Sequence, residues 1–133
     1  MKYLLDTNTC IRYLNGTASG VLNRLRDTPM DEVAVCAVVK AELFYGAAKS
    51  AHPEKTLAKQ RAFLDSLTSL PFDDVAAEKY SAIRAHLERQ GTPIGPNDLM
   101  IAAIALARDL TLVTHNTREF SRVPNLKIED WEA

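Results

Sequence analysis

Four acidic side chains stand apart from the other charges of this sequence, each in or beside an apolar segment. They are Asp6, Glu42, Asp98 and Glu119. A buried carboxylate is costly unless it is paired or bound to a metal ion, and neighbouring carboxylates raise one another's pKa unless a cation neutralises them. Ligands that are all oxygen, without His or Cys, suit Mg²⁺ or Mn²⁺. Because such an ion can generate hydroxide and stabilise charge on a phosphate, the four acids indicate hydrolysis of a phosphodiester.

The places of these acids in the expected secondary structure favour one shared site. Asp6 directly follows a strand, and Glu119 ends the segment 114–119, which follows another strand. Ligands bind beyond the carboxyl ends of the strands in an open parallel sheet. Asp98 falls in the first turn of an apolar helix, where the positive helix end favours a carboxylate. Glu42 lies in a helix that leads off the second strand, so we expect the four acids to converge.

Short apolar runs alternate with helical patterns along the whole chain. Strands are predicted at 2–5, 33–36, 70–72, 111–114 and 126–128, and helices at 11–15, 19–25, 37–48, 53–67, 73–89 and 97–108, with a turn or short helix at 117–120. This alternation implies a parallel α/β sheet with helices on both faces. Helix 97–108 is apolar all round, which predicts burial on more than one side. We expect one domain over residues 1–133, without repeats or linkers.

Composition restricts the class of protein further. The chain has 133 residues, of which 47% are hydrophobic and 25% charged, and this is typical of a compact globular domain. The net charge of -1 gives no overall basic excess, so any nucleic acid must be held locally. No apolar run reaches the roughly 18 residues of a membrane span, and we expect no export signal. Cys10 and Cys36 lack metal or redox spacing, so we expect a cytoplasmic protein with reduced thiols and no membrane partner.

Each acid also has a purely structural interpretation. Asp6 could cap a helix, and Asp98 could interact only with a helix dipole. Glu42 could pair with a lysine at the rim, and Glu119 could be a solvated turn residue. Four isolated acids on the expected crevice segments nevertheless favour the functional interpretation. Three histidines show no metal-ligand spacing and are expected to be surface or satisfied residues: His52, His86 and His115, the last near the expected site.

Four ordered motifs carry a resemblance to a known family. They are Leu4-Leu5-Asp6-Thr7-Asn8, Ala41-Glu42-Leu43 with Gly46, Asn97-Asp98-Leu99 with Ile101-Ala102-Ala103, and VTHNTREF at 113–120. With these motifs the sequence resembles the PIN-domain ribonucleases and, more narrowly, the VapC toxins of bacterial type II toxin–antitoxin modules. The resemblance covers nearly the whole chain. It implies a three-layer α/β/α sandwich around a mostly parallel sheet of four or five strands, and a Mg²⁺-dependent endoribonuclease for which Mn²⁺ is an alternative ion.

The resemblance also implies roles for individual residues. Asp6, Glu42 and Asp98 match the three acidic positions of the family, with Asp6 and Asp98 as the metal ligands. Many relatives have Asp at the fourth position, where this chain has Asn116, so either Glu119 supplies the charge or Asn116 orients water. The hydroxyls of two further residues could position phosphate or water: Thr7 and Thr114.

Substrate and partners follow from the same resemblance. The NTREF form at 116–120, with an ending that contains Glu129, Asp130 and Trp131, is similar to the enteric-type VapC proteins that cut initiator tRNA in its anticodon loop. The family further implies a cognate VapB antitoxin and a homodimer within a higher toxin–antitoxin complex. Exposed apolar positions are expected on the second and fourth helices, where they would suit a dimer partner or an antitoxin helix.

A local basic surface gives the RNA substrate a physical rationale, because unpaired loops offer bases for stacking while basic side chains hold phosphates. The basic residues are Lys40, Lys49, Lys55, Lys59 and Arg61, with Glu42 and Glu54 as the acids among them. Tyr45 could stack on a base. Alternatively, the charges form a solvated helix face and Tyr45 lies in the core.

Other functions remain open at the level of sequence. The segment 6–10 faintly resembles the loop of an Asp-nucleophile phosphatase, but Asn8 replaces an acid and Cys10 a threonine. A receiver-like signalling domain has a similar length and topology, but it would need paired acids after the first strand. A non-catalytic PIN-like interaction domain is the third alternative, should the departure at Asn116 matter.

Overall fold

The computed structural model describes residues 1–132 and contains five strands and seven helices over that range. The strands are β1 (Tyr3–Leu5), β2 (Val33–Cys36), β3 (Thr68–Leu70), β4 (Thr111–Val113) and β5 (Ile128–Glu129). The helices are α1 (Thr7–Asn15), α2 (Ser19–Asp27), α3 (Ala37–Ala48), α4 (Pro53–Leu64), α5 (Asp74–Arg89), α6 (Pro96–Ala107) and α7 (Thr117–Phe120). A short 3₁₀ helix, Met30–Glu32, leads into β2.

All five strands join one sheet in the order β3-β2-β1-β4-β5, and every neighbouring pair is parallel. Every residue of β1, β2 and β4 is buried. Because successive side chains of a strand point to opposite faces, burial of all of them means that both faces of the sheet are covered. The predicted three-layer α/β/α sandwich is therefore confirmed, with five strands.

Helix α6 lies deepest among the helices. It packs against α5, α3 and β4, and six of its residues are buried: Leu99, Ile101, Ala102, Ala103, Ile104 and Ala105. Its apolar residues therefore face several neighbours at once, as the sequence predicted. A core on this scale stabilises the sheet through the area of apolar surface removed from water.

Two predicted strands lie at different positions in the structure. The third strand ends at Leu70 and does not extend over 70–72, because Pro71 has no N–H to donate to a neighbouring strand. Phe72 packs instead against Tyr80, with the ring centroids 5.9 Å apart. The last strand is Ile128–Glu129, two residues later than the start predicted for 126–128.

The apolar positions that are accessible on α2 and α4 are small or half-buried: Ala58 and Ala62 are exposed, and Leu22 and Leu57 are half-buried. The exposed large hydrophobic residues of the range 1–132 are Met1, Ile11, Met30, Tyr45 and Val75, none of which lies on α2 or α4. On α2, Val21 and Leu25 face the core, and on α4 Phe63 and Leu64 do the same. Helical spacing identified the apolar face of each helix but could not show that this face was already covered.

Both cysteines are free thiols within the core. Cys10 and Cys36 have no exposed area, and burial raises the pKa of each thiol above its ordinary value. Over residues 1–132, none of the helices combines the length and the apolar character that crossing a bilayer requires.

Candidate active site

The candidate site begins where β1 and β4 end side by side. The N–H of Asp6 donates to the carbonyl of Val113 over 3.1 Å, and the Thr9 hydroxyl donates to the same carbonyl over 3.2 Å. These bonds join the end of β1 to the end of β4. They place Asp6 next to Thr114, the residue that follows β4.

Asp6 both caps a helix and belongs to the acid cluster. It is the N-cap of α1, where its carboxylate accepts from the N–H of Thr9 over 2.8 Å. Burial raises the pKa of Asp6, and hydrogen bonds from Thr114 and Thr9 oppose that shift only in part. The helix-cap interpretation is therefore confirmed for this residue, and it coexists with a place in the acid cluster.

Glu42 reaches the site from α3, which begins directly after β2. Its Oε1 accepts a hydrogen bond from the hydroxyl of Thr7, the first residue of α1. The side chain is half-buried, and in the range 1–132 it makes no ion pair within 4.0 Å. The interpretation of Glu42 as the partner of a lysine at the rim is therefore wrong.

Asp98 shows that the four acids converge. It lies in the first turn of α6, whose entry is set by Gly95 at the N-cap and Pro96 at the first helical position. Its pKa is raised to about 6, first by burial and then by the negative charges of Glu42, Glu119 and Asp6. Each of the other three carboxylates therefore acts on this one group, as expected for acids around a common space.

Two residues lie at the candidate fourth position, Asn116 and Glu119. The N–H of Asn116 donates to the Thr114 hydroxyl over 3.0 Å, which turns the chain after β4. The side-chain amide of Asn116 then donates to Oε2 of Glu119 over 3.3 Å. Because Glu119 also acts on the pKa of Asp98, it is the charged member of this pair, and Asn116 orients it.

The donor set is compatible with a hard divalent ion. The four carboxylates offer oxygen ligands alone, and their mutual repulsion is the condition that a cation relieves. Among residues 1–132, no three of these carboxylates bring ligand atoms within 4.8 Å of one another. Such spacing suits an ion that keeps several of its waters, as Mg²⁺ commonly does.

Sequence analysis missed a second group of polar side chains beside these acids. His115 Nδ1 lies 3.0 Å from Asp130 Oδ2 and 3.9 Å from Glu132 Oε2, and these atoms lie within 4.8 Å of one another. Glu132 also adds to the negative charge that Asp6 experiences. The residues are 15 and 17 positions apart, so spacing along the chain could not reveal the group, and only the position of β5 beside β4 brings them together.

Comparison with known proteins identifies this arrangement. The PIN-domain family model matches residues 3–126, so the sheet with acids beyond its strand ends defines a nuclease of the PIN class. The chain is 42% identical to the tRNA(fMet)-specific endonuclease VapC of Salmonella typhimurium and 43% identical to that of Shigella flexneri, each over 131 residues and 98% of both chains. It also superimposes on a chain of the crystal structure of DNA-bound VapBC from Salmonella typhimurium with a TM-score of 0.93, at 42% identity and 98% coverage of both chains.

The chain belongs to the PIN-domain family and, within it, to the VapC endoribonucleases. Nucleases of this family are divalent-metal-dependent hydrolases that act on RNA. This membership sets aside the phosphatase and receiver-like alternatives, because neither is a PIN domain.

Proposed function

We propose that this chain, as a single PIN domain over residues 1–133, is the toxin of a type II toxin–antitoxin module and hydrolyses RNA with Mg²⁺. The observation that carries the proposal is the meeting of four acids at the ends of parallel strands, where burial and then the charges of the other three raise the pKa of Asp98. Such crowding has no benefit for the stability of the fold. It supports a site built for a cation and a phosphate.

Asp6 and Asp98 are the proposed metal ligands, because they are the two acids whose pKa values burial raises. When bound there, Mg²⁺ would supply charge neutralisation to the scissile phosphate and lower the pKa of a water molecule. Glu42 has one oxygen occupied by the Thr7 hydroxyl, which leaves the other free to accept a proton from the attacking water. Glu119, oriented by Asn116, is the fourth member of the acid cluster.

Thr7 and Thr114 have supporting roles in this proposal. Thr7 sets the orientation of Glu42. The hydroxyl of Thr114 accepts from the N–H of Asn116 and donates to the carboxylate of Asp6, so it links the two sides of the site. Mn²⁺ could take the place of Mg²⁺, because the donor set is all oxygen.

For the substrate we propose initiator tRNA, cut in the anticodon loop. Both of the similar VapC proteins from Salmonella typhimurium and Shigella flexneri are tRNA(fMet)-specific endonucleases. An unpaired loop can present splayed bases and an accessible phosphate, which a duplex cannot. A tRNA substrate would place the activity in the cytoplasm.

A VapB-type antitoxin is the proposed inhibitor, with a homodimer of this chain inside a higher toxin–antitoxin complex. Support comes from the structural match to VapBC complexes of Salmonella typhimurium and Rickettsia felis, both determined with DNA. The Rickettsia felis chain has a TM-score of 0.90 at 38% identity, covering 98% of this chain and 99% of that one.

The test is cleavage of purified tRNA by the chain freed from its antitoxin. We expect Mg²⁺-dependent cutting of initiator tRNA that Asp6→Ala and Asp98→Ala abolish. Glu78→Ala, at an exposed acid of α5, is the matched control and should cut like the wild type. Sequencing of the new RNA 5′ ends would locate the cut, and calorimetry of Mg²⁺ binding would show whether each alanine variant has lost the ion.

Three results would count against the proposal. Cleavage by Asp98→Ala at the wild-type rate would show that the acid cluster takes no part in the reaction. A folded wild-type chain that binds antitoxin but cuts no RNA would favour a non-catalytic PIN-like interaction domain. Cuts spread over many unrelated RNAs would overturn initiator tRNA as the substrate.

A further inference from the structure

A groove opens directly beside Glu42, between α1, α3 and α4. Its volume is about 480 Å³, which is in the range of pockets that bind small ligands. Ile11 and Leu14 of α1 form one wall, and α3 and α4 form the others. Because Glu42 lines both this groove and the acid cluster, a chain that passes through the candidate active site would enter the groove.

Two lysines give the groove a positive rim. Lys55 and Lys59 both line it, are both exposed, and lie four residues apart on one face of α4. Within the range 1–132, neither lysine has an acidic partner within 4.0 Å. Like charges at this spacing repel and destabilise a helix. Their placement therefore favours binding of an anion over a contribution to the fold.

Other basic residues near the site are already engaged. Lys49 Nζ lies 4.8 Å from the ring centroid of Tyr45, and the Arg61 guanidinium lies 5.0 Å from that of Phe44. Neither cation lines the groove. Of the five basic residues in the sequence pattern, Lys49 and Arg61 lie against aromatic rings, and Lys55 and Lys59 line the groove.

The floor of the groove is left open by a glycine. Gly46 lies inside α3, where glycine weakens a helix relative to alanine, yet a Cβ at this position would meet nothing within 4 Å. Close packing of helices therefore does not explain it. Tyr45, next to Gly46, is 66% exposed, so it lies outside the core, with the Lys49 ammonium over its ring.

Gln60 links α4 to α3 on the wall of the groove. It is 7% exposed, and its Nε2 donates to the carbonyl of Leu43 over 2.9 Å. That bond assigns the remaining side-chain atom as oxygen, and this oxygen has no hydrogen-bond partner among residues 1–132. This oxygen is itself closed off from the groove, so what Gln60 contributes is the bond that holds α4 against α3.

We propose that this groove binds the RNA nucleotide next to the scissile phosphate, with phosphates on Lys55 and Lys59 and the base over Gly46. The proposal rests on the RNase function above and names the path of its substrate. Its positive rim complements RNA, and its continuity with Glu42 gives the strand a direct route from the acids.

The test measures binding without cleavage. A fluorescein-labelled RNA stem-loop with an unpaired loop is titrated with the chain in EDTA, at several salt concentrations. For the Lys55→Ala/Lys59→Ala double variant we expect weaker binding and a slope of log K against log salt that is less steep by about 1.4, since each single-strand phosphate contact contributes about 0.7. The matched control, Lys49→Ala/Arg61→Ala, should keep most of the wild-type slope.

A second pair of variants separates the shape of the groove from its charge. Gly46→Met fills the floor, whereas Ala48→Met adds the same side chain at an exposed position of α3 outside the groove. We expect Gly46→Met to melt at or above the wild-type temperature, Ala48→Met to melt close to it, and only Gly46→Met to lose RNA affinity. This comparison excludes loss of folding as the cause.

The outcomes distinguish this proposal from the RNase function on which it rests. If both groove variants bound RNA as the wild type does, the proposal that the groove binds RNA would be overturned. The same would follow if the wild-type chain failed to bind the stem-loop. Loss of binding to the cognate antitoxin with RNA binding intact would make the groove a protein-docking site and overturn the proposal. The binding assay contains no metal and measures no cleavage, so its results do not depend on the RNase mechanism. If Asp6→Ala and Asp98→Ala still cut RNA, the mechanism would be refuted and the binding results would stand.

Discussion

The hydroxyl of Thr7 donates a hydrogen bond to Oε1 of Glu42, 35 positions further along the chain. Thr7 is the first residue of α1, which starts where β1 ends, and Glu42 lies in the middle of α3, which starts where β2 ends. Since β1 and β2 are neighbours in the sheet, the two helices start side by side. The bond therefore holds an acid of the site in an orientation that the sheet alone does not determine.

Thr7→Val tests this bond, because valine keeps the shape of threonine and lacks the hydroxyl. A hydrogen bond to a charged group contributes about 1.5–3 kcal/mol, so we expect kcat/KM for RNA cleavage to fall by about tenfold or more. Thr7→Ser should recover most of the activity, and thermal melting should change little in both variants. Equal cleavage by Thr7→Val and wild type would show that Glu42 needs no such orientation.

The pKa of Asp98 predicts how stability depends on pH without metal. The ordinary pKa of an aspartate is 3.8 and that of Asp98 in the folded chain is about 6, so between these values the folded chain binds more protons than the unfolded chain. The free energy of unfolding then falls as pH rises through this window. After allowance for solvent screening, we expect a loss of about 1–2 kcal/mol. Asp6 shifts in the same direction and adds to the loss.

Urea unfolding in EDTA, below and above this window, measures the effect. Asp98→Asn should be less dependent on pH than the wild type and more stable than it above pH 6. Glu78→Gln, at an exposed acid outside the site, should follow the wild-type curve. A wild-type chain whose stability rises steadily through the window would mean that the acids do not crowd one another.

Added Mg²⁺ should reverse this trend. The ion binds deprotonated carboxylates, so its stabilising effect should be absent below the window and present above it. An ion at ten times its Kd adds about 1.4 kcal/mol to the free energy of unfolding. We expect this gain in the wild type and its loss in Asp6→Asn and Asp98→Asn. A gain that persists in both variants would place the ion elsewhere, and the His115, Asp130 and Glu132 group would be the next site to test.

Two glycines are predicted to differ sharply when changed to alanine. A Cβ on Gly20 would lie 2.2 Å from the carbonyl oxygen of Trp131, whereas a Cβ on Gly46 would meet nothing within 4 Å. We therefore expect Gly20→Ala to push the C-terminal segment away from α2 and lower the melting temperature. Gly46→Ala should stabilise α3 by about 0.5–1 kcal/mol.

Trp131 provides the measurement, since it is the single tryptophan of the chain. It is 3% exposed, its ring centroid lies 5.1 Å from that of Tyr3, and the Arg24 guanidinium lies 4.8 Å from its centroid. Displacement in Gly20→Ala should expose the ring and shift its fluorescence to the red. An unshifted spectrum would show that the carbonyl can move without the ring.

Local patterns in the sequence were sufficient to predict the parallel sheet and the acids at its edge. Asp6 and Asp98 lie next to strongly apolar runs, so their elements and positions could be predicted before the order of the strands was known. The boundary of β3 was predicted less well because Leu70 and Phe72 are both apolar, and only the missing N–H of Pro71 ends the strand between them.

Features that depend on tertiary packing could not be predicted. The group of His115, Asp130 and Glu132 exists because β5 pairs with β4. The exposure of Tyr45 and the division of the basic residues between aromatic rings and the groove depend on how α3 packs against α4. No periodicity along the chain carries that information.

Asn116→Asp is the final test of the acid cluster, because the Asn116 amide donates to Glu119 over 3.3 Å and an aspartate cannot. The change replaces a hydrogen bond with a fifth carboxylate near Asp98. We expect the metal-free variant to be less stable than the wild type above pH 6, and saturating Mg²⁺ to close most of that gap, because the ion gains a ligand while repulsion is relieved. Unfolding with and without Mg²⁺ checks this, with Asn125→Asp in the turn before β5 as the control. If the stability gap were the same with and without the ion, Asn116 and Glu119 would lie beyond its reach and the fourth position would have no part in binding it.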